Sequence, residues 1–188
     1  APIWVNIDDI DNLVAEDEDN SGCLLTGDVY VDPVTGNDDL NDGSEGSPFY
    51  TITNTLPKVV GTELNPVTIN LEEGIFSPST NGETFSIELF SHLNLIGQGE
   101  EVTILDAEQT DRVITMDDCD NNTISDLTIT GGLAEGEYPD ITGGGMYLYS
   151  SNPTLINSII WDNSPASILG SGTPLITYSD IEGGWEGE

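Results

Sequence analysis

Asp118 and Asp120 stand two residues apart, so on an extended strand both carboxyls would lie on one side. That spacing approaches the ~6.5–9.5 Å that inverting glycoside hydrolysis requires between its acid and its base. The pair is the candidate catalytic set, although 35 Asp and Glu residues offer many comparable pairs. Cationic and basic side chains are few: Lys58, Arg112 and His92. Elimination from a polyuronate needs a base near the C5 proton and something positive to hold the carboxylate. A net charge of −33 is the wrong sign for that substrate unless a metal bridges the two. His92 lies beside an apolar strand, where a structural role is expected, and Arg112 is expected to pair with neighbouring acids. No Gly-x-Ser-x-Gly, His-Glu-x-x-His, Walker loop or Cys-x-x-Cys occurs.

The same acids suggest a metal. Asp32, Asp38, Asp39 and Asp42 crowd a Gly/Asn-rich loop, and hard oxygen ligands at short spacing suit Ca²⁺. The loop is not an EF-hand, because no Glu completes it. These aspartates would equally serve as Asx-turns that shape the loop. Asp117, Asp118 and Asp120 form a second candidate group at a turn between strands. For carbohydrate or protein partners, the candidate surface is Tyr138, Tyr147, Tyr149 and Trp161, whose rings can stack on sugars. Gly131-Gly132 and Gly143-Gly144-Gly145 flank an insertion that carries Tyr138, Pro139 and Asp140, and such loops project from a repeat column.

Charge excludes several classes of partner. With two Lys and Arg in all, the chain repels nucleic acid and anionic membranes. No apolar run reaches the ~18 residues of a membrane span. Self-repulsion at −33 is relieved by salt or by Ca²⁺, which points to a secreted or cell-surface protein in salty water. Cys23 and Cys119 would lie several coils apart and are expected to be free, buried thiols.

What positions these residues is a repeat. Segments around Ile124, Leu155 and Ile176 carry the same pattern, with Ile129, Ile160 and Ile181 falling in step behind them. Short β-branched runs closed by Gly or Asn at ~20–30-residue intervals mark a solenoid. Further alternating runs are Val67, Ile69 and Leu71; Phe85, Ile87 and Leu89; Leu93 and Leu95; Val102 and Ile104; and Val113, Ile114 and Met116. About six coils at ~4.8 Å give a column of roughly 25–30 Å. Ahead of them Phe49, Ile52, Leu56 and Val59 fall on one helical face, with Pro48 near the start and Pro57 near the end. This helix is expected to cap the column. Residues 1–22 read as an extended acidic segment, with Ile3, Val5 and Ile7 alternating ahead of Glu16–Asp19. Residues 23–188 read as the solenoid, with the cap over 28–61 and the coils over 62–188. No closing helix is expected at the far end, which implies a longer parent protein or head-to-tail stacking of copies.

Tyr30-Val-Asp, Thr35-Gly-Asn-Asp, Asp42-Gly-Ser and Ser47-Pro-Phe, followed by Thr51-Ile, resemble the opening motif of the pectate-lyase-like superfamily. Gly143-Gly-Gly-Met and Ser151-Asn-Pro-Thr resemble its secreted bacterial domains of unknown activity. The resemblance implies an all-β fold, a right-handed parallel β-helix with a short N-terminal capping helix. The motif belongs to the cap, so it implies no activity. Family lyases are similar in using Lys or Arg, often with Ca²⁺, and Lys58 falls in the cap helix instead. The expected role is a non-enzymatic structural or adhesive module. It would bind surface glycans or proteins through its loops, or assemble end to end with other copies into a filament. The alternative is a polysaccharide lyase or glycoside hydrolase of the same fold.

Overall fold

A computed structural model describes residues 24–136 and 143–184. The 1–22 segment, Cys23 and Tyr138 lie outside the described residues. The chain enters through β1 (Val29–Val31) and passes a short helix, α1 (Ile52–Thr55). It then winds β2 (Val67–Leu71), β3 (Gly74–Phe76) and β4 (Ile87–Leu89) as a first coil. The second coil is β5 (Leu93–Ile96), β6 (Thr103–Asp106) and β7 (Ile114–Asp117). The third is β8 (Thr123–Ser125), β9 (Thr128–Thr130) and β10 (Met146–Tyr149). The fourth is β11 (Thr154–Ile156), β12 (Ile159–Ile160) and β13 (Ile168–Gly170), and β14 (Leu175–Thr177) and β15 (Asp180–Ile181) follow.

Strands stack by coil into three sheets of six, five and four strands, and every strand-to-strand pairing is parallel. Leu155 pairs with both Ile124 and Ile176, and Ile160 with both Ile129 and Ile181, which is the register read from the repeat. Inward side chains from all three sheets, among them Ile69, Leu95, Leu105, Met116, Ile124 and Leu155, form one apolar cluster. Fully burying such a side chain contributes roughly 1.5–3 kcal/mol. No coil encloses enough apolar area alone, so stability is a property of the stack.

β1 extends the reading of the opening motif. Tyr30-Val-Asp is not only cap; Val29–Val31 is the first strand of the six-stranded sheet. The motif's glycines are fixed by Phe49. A side chain on Gly36 would collide with the Phe49 carbonyl, and one on Gly43, at φ +80°, with its ring. Phe49, Ile52 and Val59 are buried over the end of the column, with Leu25 and Leu56 packed against them. The helix is shorter than its apolar spacing suggests. It starts at the N-cap Thr51, well after Pro48, and after one turn passes into a 3-10 turn, Leu56–Lys58, that accommodates Pro57.

One phase differs from expectation. Val102 and Ile104 face outward, and Thr103 and Leu105 face inward. Thr103 is tolerated inside because its hydroxyl accepts from the Gln98 amide at 3.0 Å and donates to the Glu72 carbonyl at 3.4 Å, satisfying both capacities. Truncating Leu105, which is fully buried, to Ala is expected to cost about 3 kcal/mol in urea unfolding. Val102→Ala, at a site 38% exposed, is expected to cost less than about 1 kcal/mol. The opposite ranking would restore the phase read from the sequence.

Candidate functional site

The acids of the cap loop are spent on backbone. Asp32 closes its own turn, accepting from the Val34 and Thr35 amides at 2.8 and 3.1 Å and from the Thr35 hydroxyl. Burial alone would raise its pKa, but these bonds together hold it below the usual carboxylate range. Asp42 accepts from the Ser44 hydroxyl and amide, which likewise lower it. Asp38 reaches the helix start, accepting from the Tyr50 and Thr51 amides at 2.8 and 3.1 Å and from the Thr51 hydroxyl and the Asn54 amide group. Its carbonyl receives the Lys58 ammonium at 2.9 Å, which also lies 4.3 Å from the Phe49 ring centre. Asp39 contributes only its amide, bonded to Asn37. Among the described residues no three His, Cys, Asp or Glu side chains gather as a metal site. The Asp32, Asp38 and Asp42 carboxylates thus serve turns and the helix start, each on its own set of amides.

Glu83 completes this arrangement, and nothing in the sequence singled it out. Only 1% exposed, it accepts from the Ile52 amide at 2.7 Å and the Thr53 amide at 2.9 Å, as well as the Thr53 hydroxyl and the Thr84 amide. The first amides of α1, which have no intrahelical partner, are therefore satisfied by a carboxylate from the first coil. The helix is locked onto the column by a polar tether under its apolar face.

Asp117, Asp118 and Asp120 are exposed on a turn around buried Cys119. Backbone groups hold that turn: the Asp118 amide donates to the Tyr149 carbonyl, and the Ser91 hydroxyl accepts from the Asp120 amide. Asp118 adopts φ +49°, a left-handed conformation, so the two residues do not sit on one regular strand as the catalytic reading required. Cys119 is free, and burial raises its thiol pKa. The His92 ring nitrogen lies 3.3 Å from the Asn121 side-chain amide.

Each sheet presents a different outer face. On the six-stranded sheet one outward row runs Thr68, Asn94, Thr123, Thr154 and Leu175. The row beside it runs Tyr30, Asn70, Ile96, Ser125, Ile156 and Thr177. Neither row contains a charged residue. On the four-stranded sheet Tyr147 and Tyr149 point outward together, Tyr147 between Thr115 and Leu169, and Tyr149 beside Asp117. The Arg112 guanidinium lies over the Tyr147 ring, 4.9 Å from its centre. Tyr149 is half exposed. Trp161 is also half exposed but follows β12 on the five-stranded sheet, so the structure does not join it to the tyrosine pair.

Solved structures resemble this coil. Pectin methylesterase PemA from Erwinia chrysanthemi superposes with a TM-score of 0.51 at 13% identity, over 79% of this chain and 53% of that one. A pectin methylesterase mutant in complex with hexasaccharide IV gives 0.53 at 13% identity, over 80% and 54%. The fold is a right-handed parallel β-helix, the fold of these pectin methylesterases. This β-helix spans about half the length of the solved structures it matches. Residues 34–104, from the cap loop to the second coil, match a family model described as a protein of unknown function, DUF1565. No curated protein matches the sequence.

The cap yields a pH prediction. Burial raises the Glu83 pKa, against the bonds from Thr53, Ile52 and Thr84 that lower it. The folded state therefore holds this proton more tightly than the unfolded one. Its contribution to stability is full below the ordinary glutamate value and declines as pH rises through the raised one. Wild type should lose stability relative to Glu83→Gln across that window. A constant difference between the two would contradict the assignment. Glu83→Ala strands the Ile52 and Thr53 amides and should cost about 3 kcal/mol in urea unfolding.

Proposed function

We propose that this β-helix is a non-catalytic module, secreted or displayed at a cell surface, that presents its outer faces to carbohydrate. The observation that carries the reading is the outer face of the six-stranded sheet. In a chain with 35 acids, its two rows of Thr, Asn, Ser and aliphatic side chains, with Tyr30 at one end, carry no charged residue and offer hydrogen bonds and apolar contact. Tyr147 and Tyr149 add a stacking platform, with Arg112 steadying the first ring. Such groups bind a sugar ring by its C–H face and its hydroxyls without activating a bond. An uncharged glycan fits better than a polyuronate, because the net charge of −33 opposes an anionic polymer.

Calcium enters this reading as a counter-ion for the whole surface, since the Asp32, Asp38 and Asp42 carboxylates already accept from backbone amides. Ca²⁺ and Mg²⁺ at equal concentration should then raise the melting temperature alike. A rise specific to Ca²⁺ would point to a built site.

The enzymatic alternative has the solved pectin methylesterases in its favour at the level of fold. Affinity electrophoresis in neutral polysaccharide gels, run beside activity assays, separates the two. Retardation by a neutral glycan that is lost at least fivefold in Tyr147→Ala or Tyr149→Ala supports binding. Methanol release from methyl-esterified pectin, or chain cleavage of any glycan in the panel, would overturn the non-catalytic reading.

A further inference from the structure

The left-handed corner between the six- and five-stranded sheets repeats through three coils. Asp126, Asn157 and Tyr178 occupy it at φ +59°, +46° and +52°. Asp and Asn suit that conformation, and the first two are tied together by a 3.1 Å bond from the Asn157 amide to the Asp126 carboxylate. Tyr178 breaks the series. It is 87% exposed, the highest value for any aromatic among the described residues.

The ring borders a groove of about 380 Å³ on the outer side of the five-stranded sheet. Ile159 and Asp180, neighbours in register, line its floor. The opposite wall is the Glu100 turn, which is held over the sheet by the Thr128 hydroxyl donating to the Glu100 carbonyl at 2.6 Å. The groove thus combines an aromatic ring, an aliphatic floor and two carboxylates from different coils. Glu100 and Asp180 are both without a hydrogen-bonded or ion-paired side-chain partner among the contacts of the described residues.

We propose that this groove binds a protonated amino sugar, one ring of a deacetylated hexosamine chain, and so extends the carbohydrate reading to a cationic glycan at a separate site. Tyr178 would take the C–H face of the pyranose, and Asp180 and Glu100 would receive the ammonium. The field of a −33 chain concentrates such a cation and disfavours an acidic one. The open shape suits a pyranose, whose broad C–H face can cover the Tyr178 ring and reach Ile159 together, better than a single lysine stem.

The test is titration calorimetry at pH 6 and fixed ionic strength with three probes: glucosamine tetramer, its fully N-acetylated form, and tetralysine. The glucosamine tetramer should bind at least tenfold more tightly than either of the others. Tyr178→Ala and Asp180→Asn should each weaken it at least fivefold. Glu63→Gln, which removes the same charge from an exposed site elsewhere, should change it less than twofold. Three results would overturn the proposal. One is equal affinity for the acetylated tetramer, and another is equal affinity for tetralysine, which would favour a basic peptide. The third is an equal loss in Glu63→Gln and Asp180→Asn, which would reduce the attraction to net charge. Retardation by neutral glycans through Tyr147 and Tyr149 is read independently, so either site can fail alone.

Discussion

Each coil of this protein owes its fold to the coil above and below. A turn of some 20–30 residues presents only one to three inward side chains per strand, far too few to exclude water. Only when Ile124 lies on Leu95, Leu155 on Ile124, and Ile176 on Leu155 does a continuous apolar column exist. That constraint fixes register along the whole axis, because a shift of one residue would turn an inward row outward. It also leaves the exterior free. Outward residues answer only to their lateral neighbours, which is how one scaffold carries an uncharged face, a tyrosine face and an acidic groove side by side.

A column of stacked sheets still has ends, where edge backbone and apolar side chains meet water. At the front, Phe49, Ile52 and Val59 cover the apolar end, while Asp38 and Glu83 satisfy the amides at the start of α1. A one-turn helix has little stability of its own. Here its orientation is set by carboxylates on two sides, one from the cap loop and one from the first coil. The abundance of acids therefore has more than one cause. Some terminate turns, one is buried as a tether, and the remainder stand on the surface and set the field.

The column was legible in the sequence because its signal is periodic: β-branched residues at matched positions in successive segments survive as a pattern even when single residues vary. The cap motif was legible through its resemblance to other β-helix openings, and two of its glycines are fixed by Phe49, Gly36 against its carbonyl and Gly43 against its ring. Local phase was less secure. Thr103 took an inward place from Val102 because its hydroxyl found two backbone partners, the Gln98 amide in the turn just before it and the Glu72 carbonyl in the preceding coil, and the second of these is information absent from the segment itself. Asp38 looked like a metal ligand for the same chemical reason that makes it a helix anchor, since a carboxylate seeks positive partners and backbone amides serve. Glu83 carried no local signal at all, its amides lying 30 and 31 residues away. The groove beneath Tyr178 draws on Glu100, Ile159 and Asp180 from separate coils and was equally out of reach.

The account stands on in-register parallel stacking, and methyl-to-methyl nuclear Overhauser contacts read that directly. Ile124, Leu155 and Ile176 should form one chain of contacts, and Ile129, Ile160 and Ile181 a second, with each middle residue touching both of its neighbours. Contacts of Ile124 with Ile129 across a hairpin, in place of Ile124 with Leu155, would contradict the coil and with it every outward face described above.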